Sequence, residues 1–263
     1  MILNDFLTVK DIQMIYQTPA EETMAVKNVS FSAEKGQFVS IVGPSGCGKS
    51  TILSCMAGLR QQQAGQIYLE GRQIQHSRDR IGYMLQSDNL MPWRSVWRNV
   101  TLGLEIKKKL DDENCSYAQQ LLEKYDLWQF KDSFPSQLSG GMRQRVALIR
   151  TLALKPEVLL LDEAFSALDY QTRVKVSCDV YEILRRENKT IVMVTHDIPE
   201  AVSMSDRVII LSKRPAVVQK VVDIQLGARE DNPVKRRTHP NFQNYFNSIW
   251  RELMYDEKGG IIS

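Results

Sequence analysis

The sequence predicts an α/β fold with a largely parallel sheet, and three observations carry that expectation. Short apolar runs alternate with helical patterns along most of the chain. Several of these runs are apolar at every position, as strands covered on both faces must be. The first of them ends in a glycine-rich turn that opens a helical run.

The elements follow in order. The first thirty or so residues alternate in polarity through Leu7, Val9, Ile12 and Met14, which predicts antiparallel strands beside the core. Phe38-Val39-Ser40-Ile41-Val42 reads as a buried strand, and Thr51 to Ala57 as the helix after its turn. Three more buried strands are expected at Val158–Leu161, Thr190–Val194 and Arg207–Leu211. Between about 88 and 156 the patterns are helical and polar-rich, which predicts a helical subdomain inserted in the core. The charged run from Lys107 to Glu113 reads as a solvated helix end and loop. Residues 1–228 are thus expected to form one domain. A C-terminal extension, 229–263, begins with a linker carrying Asn232-Pro233 and His239-Pro240. Tyr245, Phe246, Ile249, Trp250, Leu253 and Met254 then fall on one helical face, which packs on the core or serves regulation.

Bulk properties exclude several classes. A chain of 263 residues with 43% apolar and 25% charged residues has the make-up of a globular protein, not a disordered one. A formal charge of only +3, without a concentrated basic stripe, argues against nucleic acid as a partner. Cys47, Cys55, Cys115 and Cys178 form no CxxC pair and no zinc-ligand spacing, so reduced, unremarkable thiols are expected. Met1–Lys10 lacks the apolar run of a signal peptide. No stretch reaches the ~20 apolar residues that span a bilayer.

Chemistry concentrates at Gly43-Pro44-Ser45-Gly46-Cys47-Gly48-Lys49-Ser50, followed by Thr51. The pattern G-x-x-x-x-G-K-[ST] between strand and helix is a phosphate cradle. Glycines let the backbone curl so that N–H groups converge on phosphate oxygens, and the helix N-terminus adds partial positive charge. Lys49 supplies a point charge to the β- and γ-phosphates, and Ser50 a hydroxyl to Mg²⁺. Cys47 reads as a small spacer. Asp162 ends an apolar strand, where α/β sheets bind ligands, and can reach the same Mg²⁺ through water. Glu163 follows and can orient or deprotonate an attacking water. These parts specify a P-loop NTPase (RecA-like) core, with an antiparallel β subdomain and an inserted helical subdomain.

Leu138-Ser139-Gly140-Gly141-Met142-Arg143-Gln144 then resembles the signature motif of the ABC ATPase family. Other elements of that family fall in order. Tyr16 resembles the adenine-stacking aromatic, and Gln86 the Q-loop glutamine that contacts Mg²⁺ and senses the transporter. Ser166-Ala167-Leu168-Asp169 resembles the D-loop, and His196 the switch histidine that meets the γ-phosphate. The resemblance spans roughly Phe6 to Val222. It implies that ATP lies between the Gly43 loop of one protomer and Ser139, Gly140, Gly141 and Gln144 of a second copy or a paralogue, paired head to tail. It further implies permease and solute-binding partners, and work at the cytoplasmic side of the membrane as a peripheral subunit.

Leu90-Met91-Pro92-Trp93-Arg94, past the Q-loop, resembles importers of the nitrate/sulfonate/taurine type, a group that includes proposed importers of vitamin precursors. Trp93 and Trp97 lie one helical turn apart and line a docking groove or sit in the core. A separate-chain exporter ATPase and a non-transport ABC ATPase are the alternative readings.

Overall fold

Phe38–Val42 (β3), Val158–Asp162 (β7) and Thr190–Val194 (β8) are buried at every residue, and they form the centre of one sheet. The computed structural model describes residues 5–17, 22–228 and 231–254. The central strands pair in parallel: β3 lies between β8 and Arg207–Leu211 (β9), and β7 lies between β8 and Ile81–Met84 (β6). Val218–Asp223 (β10) closes the β9 edge antiparallel. Neighbouring strands of this sheet thus run β10-β9-β3-β8-β7-β6. The four strands expected from their apolar runs are all present. The edge strand β6 was not anticipated, because its four residues include Gly82 and Tyr83 and carry no apolar run.

A second, antiparallel sheet lies beside it. Asp5–Gln17 (β1) and Glu22–Glu34 (β2) pair antiparallel, with Ala64–Leu69 (β4) on the other side of β1 and Arg72–Gln73 (β5) beyond. Its buried residues Leu7, Val9, Ile12 and Val26 share one core with Val39, Ile41, Leu160 and Val194 and with the helix Lys49–Met56 (α1). The opposite face of the large sheet presents Phe38, Leu159, Leu161, Ile191 and Met193 to a helical layer. Alternation along each strand therefore feeds two cores, which is why these runs must be apolar throughout.

Between β6 and β7 the chain is helical: Val96–Val100 (α2), Leu102–Ile106 (α3), Asp112–Lys124 (α4) and Gly140–Leu152 (α5). Each of α2, α4 and α5 starts at a side chain that accepts from the backbone three residues on, namely Ser95, Asp111 and Ser139. Tyr170–Arg186 (α6), capped by Asp169, links β7 to β8. Ile198–Met204 (α7) links β8 to β9.

The linker expected after Gly227 contains a short helix, Pro233–Arg237 (α8). Its Arg236 is buried, donating to the Tyr181 hydroxyl at 3.1 Å and to the Ser205 carbonyl at 2.6 Å. A basic residue after Asn-Pro reads as solvated; here the guanidinium fills a gap between α6 and α7. Phe242–Met254 (α9) lays Ile249 into a third core with Ile198, Val202 and Ile210. Residues 229–230 and 255–263 of the extension, and Met1–Asn4, lie outside the described residues.

Candidate functional site

Gly43 to Ser50 bridge β3 and α1. Gly46 and Gly48 take φ values of 71° and 123°. At Gly48 a Cβ would also meet the Ala25 carbonyl at 3.0 Å, so glycine is required both for the curl and for the approach to β2. Cys47 packs among the residues between the two sheets, and burial pushes its thiol up. It is a spacer turned inward, not a thiolate.

Lys49 is buried, and its Nζ donates to the carbonyls of Gly43 at 2.8 Å and Pro44 at 2.9 Å. Both acceptors are neutral, so the ammonium lies within the curl with its charge uncompensated by them. Such a setting favours an anion.

Asp162 emerges from the end of β7 and is nearly buried. Its Oδ1 accepts from the Ser50 hydroxyl at 2.8 Å, and its Oδ2 from the Tyr83 hydroxyl at 2.9 Å. Burial, reinforced by the adjacent carboxylate, pushes the Tyr83 phenol up to about 12 and keeps it a donor. These hard oxygen donors suit Mg²⁺. Among the described residues no group of three or more His, Cys, Asp or Glu side chains offers a protein-only metal cage. The expected ion would therefore share its ligands with phosphate oxygens.

Glu163 has a positive φ of 46°, a left-handed backbone that costs a non-glycine residue about 1 kcal/mol or more. Its N–H is tied to the Val194 carbonyl at 2.9 Å across the ends of β7 and β8. This turn carries the carboxylate out of the sheet, and its Oε2 lies 3.3 Å from His196 Nδ1. Gln86 Nε2 donates to the Ser166 hydroxyl at 3.3 Å, and that hydroxyl donates to the Glu163 carbonyl at 2.9 Å. Gln86 is therefore joined to Glu163 through a residue of the expected D-loop, and Glu163 meets His196 directly. The Gln86 side chain is not hydrogen-bonded to Ser50 or Asp162.

A cleft of about 450 Å³ collects Tyr16, Ser45, Lys49, Ser50, Thr51 and Glu163. Tyr16 Oη and Thr51 Oγ1 share a hydrogen bond at 2.8 Å, which places the aromatic ring beside the start of α1. Arg60 and Arg214 also line the cleft. The Arg60 guanidinium lies 5.2 Å from the Tyr16 ring centroid, and Arg214 donates to the Gly46 carbonyl at 2.7 Å. Sequence reasoning did not select these arginines or Tyr83, because each reaches the site from a separate element without a local motif.

Ser139, Gly140, Gly141 and Gln144 do not line this cleft. Ser139 caps α5 by accepting from Met142 N at 3.3 Å. At Gly141 a Cβ would meet Val176 Cγ2 at 2.8 Å, so the glycine lets α5 approach α6. Gln144, expected to face the nucleotide of a partner copy, is buried on α5 within this single chain. The segment past Gln86 is bound to the same helix. Arg143 Nε donates to Asp88 Oδ2 at 3.0 Å, and Arg150 donates to the carbonyls of Asp88 and Asn89, each at 2.7 Å. Trp93 is 72% exposed. Trp97 instead packs edge-on against Trp128, with ring centroids 5.8 Å apart. The two tryptophans therefore do not form one groove wall.

A phosphate cradle at the carboxyl end of a parallel sheet, facing an Asp-Glu strand end and a histidine, defines a P-loop nucleotide-binding ATPase. The family model described as "ABC transporter" matches residues 26–166. The chain belongs to that family, as an ATP-binding subunit with an ATPase fold. It is 45% identical to an uncharacterized ABC transporter ATP-binding protein, YtlC, of Bacillus subtilis (strain 168), over 96% of this chain and 97% of the relative. It is 37% identical to the nitrate import ATP-binding protein NrtD of Synechocystis sp., over 92% of this chain and 93% of the relative. Among solved structures it is similar to the ATP-binding cassette MJ0796 in a dimeric post-hydrolysis state bound to ADP and Pi. That match has a TM-score of 0.71 and 32% identity, over 83% of this chain and 99% of the other.

Proposed function

We propose that this subunit energises an ABC importer for a small solute of the nitrate, sulfonate or taurine kind, or a vitamin precursor, by ATP-driven pairing of two copies. The observation that carries the reading is the Asp88–Arg94 segment. It presents an exposed Trp93 while Arg143 binds the Asp88 carboxylate and Arg150 the Asp88 and Asn89 carbonyls, tying the segment to the helix capped by Ser139. A permease docked on this segment would pull directly on α5. The likeness to a nitrate import ATP-binding protein supports import over export.

In this reading Lys49 and the Gly43–Ser50 backbone hold the phosphates, and Tyr16 receives adenine. Ser50 and Asp162 would hold Mg²⁺, with Gln86 as a further ligand, and the ion would neutralise charge on the β- and γ-phosphates. Glu163 takes the proton of the attacking water, and His196 meets the γ-phosphate. Ser139, Gly140 and Gly141 present the N-terminus of α5 to the nucleotide of a partner copy. ATP thus joins two protomers, and its cleavage removes the contacts that favour the joined state. The subunit would work from the cytoplasmic face of the membrane; no described helix is long and apolar enough to cross it.

The test is affinity purification of the chain from gently solubilised native membranes, with mass spectrometry of what accompanies it. A multi-span permease together with a solute-binding protein is the expected result. A permease of exporter type, or a ribosomal or DNA-repair complex, would overturn import and leave the ATPase assignment standing.

A further inference from the structure

Glu200 is a buried carboxyl that the hydrolysis reaction does not use. It sits in the first turn of α7, directly behind the loop that carries His196. Only 4% of it is exposed. Its Oε2 accepts from the Thr195 hydroxyl, and its Oε1 is buried without a hydrogen-bond partner among the described residues. Thr195 Oγ1 in turn accepts from Asp197 N at 3.0 Å, and Asp197 Oδ1 accepts from Glu200 N at 2.8 Å. These three bonds close a ring through Thr195, Asp197 and Glu200. The first two flank His196 in the chain, and the His196 side chain is exposed and touches Glu163. Thr195 N is pinned to the Ile41 carbonyl at 3.3 Å, so the ring is anchored to β3 on its other side.

We propose that Glu200 is a positioning residue for His196, acting through Thr195 and the backbone between Thr195 and Asp197. The inference rests on the reading of His196 as the residue that meets the γ-phosphate. A helix cap needs no buried acid; Asp197 already caps α7. Burying a carboxyl with one oxygen unpaired is costly, and buried acids with perturbed titration cluster at functional sites. What Glu200 holds is the one loop that joins β8 to α7 and bears the histidine.

The charged groups facing this carboxyl come from three elements. Asp197 lies on the loop itself. Arg173 of α6 stands with Nη1 3.6 Å from Asp197 Oδ2 and donates through Nη2 to the Leu168 carbonyl at 2.8 Å. Arg237 of α8 donates to Ser203 Oγ at 3.4 Å. Burial, with Asp197 beside it, outweighs the Thr195 hydrogen bond and the two arginines and pushes the Glu200 carboxyl up to about 7. The neutral form is therefore well populated at neutral pH, and it too can hydrogen-bond the Thr195 hydroxyl.

The test uses the full chain with ring-¹⁵N-labelled histidine. The sequence has three histidines, so His196 is assigned by its loss in His196→Gln, and His76 serves as the distant reference. Glu200→Ala and Thr195→Val are expected to shift the His196 ring ¹⁵N signals. Both should lower kcat at least fivefold with KM for Mg·ATP within twofold, while His76 stays unmoved. Glu200→Gln keeps a neutral acceptor for the hydroxyl and should recover at least half of the lost rate. If Glu200→Ala does not fold, Thr195→Val carries the same test. Ring signals of His196 identical to wild type in the folded variants would overturn the proposal, as would a kcat that falls only in step with KM. If His196→Ala leaves kcat unchanged, the phosphate-contact reading fails by itself, and the ring signals still decide the positioning claim.

Discussion

The Ser50 hydroxyl donates to Asp162 Oδ1 at 2.8 Å, joining two residues 112 positions apart in the chain. One ends the phosphate loop and the other ends β7. Their contact shows that the cradle and the acidic strand end are two halves of one site. Tyr83 holds the other carboxylate oxygen from β6, so the Asp162 side chain is oriented from both sides.

Tyr83→Phe removes that second donor. A hydrogen bond to a charged acceptor contributes about 1.5–3 kcal/mol, and Ser50 remains, so a loss of about 1–2 kcal/mol in stability is expected. The variant should also need more Mg²⁺ for half-maximal ATPase activity. Thermal melting and a Mg²⁺ titration of turnover check both effects.

Lys49→Ala empties the curl of the loop of its cation. Nucleotide affinity should fall at least tenfold, about 1.4 kcal/mol or more. Titration with a fluorescent ATP analogue measures it. Unchanged affinity would count against the phosphate assignment.

Glu163→Gln keeps the shape of the side chain and removes its basicity. Binding should stay within about twofold, while turnover falls about 100-fold or more, the range of a lost general base. With hydrolysis blocked, ATP should hold two copies together, seen as a doubled mass by light scattering. Turnover like wild type would remove Glu163 from its role.

Glu200 makes stability depend on pH in a defined direction. Its carboxyl is pushed up to about 7 in the folded chain from an ordinary 4.5, so the folded state keeps the proton that the unfolded state has released. Stability is full below pH 4.5 and declines as pH rises from there to about 7. Glu200→Gln lacks this loss. Relative to wild type it should gain on the order of 3 kcal/mol at pH 8, and the gain should vanish near pH 4. Urea unfolding at the two pH values measures the difference.

How far the site was legible follows from where its parts lie in the chain. Gly43 to Ser50 are consecutive, and their glycines and lysine dictate a local backbone, so the cradle could be read directly. Asp162 and Glu163 were legible because they end a run of apolar residues that can only be a covered strand. Tyr83 has no such mark; its role exists only because β6 pairs with β7. Arg60 and Arg214 meet the cleft from α1's far end and from the segment after β9, and no spacing rule joins them to the loop. The burial of Gln144 on α5 within the chain has no mark in the motif read as a string.

The same division holds for the fold. Periodicity and composition alone determined the central strands, the alternating N-terminal strands, the helical run between β6 and β7 and the amphipathic α9, because each is encoded by the polarity of neighbouring residues. Tertiary structure alone decided that Arg236 is buried against Tyr181, that Trp97 turns to Trp128 while Trp93 faces solvent, and that Glu200 braces Thr195. Those outcomes depend on which surfaces meet once the chain has closed. The free energy of burying a charge or a ring is set by partners that adjacent residues do not specify.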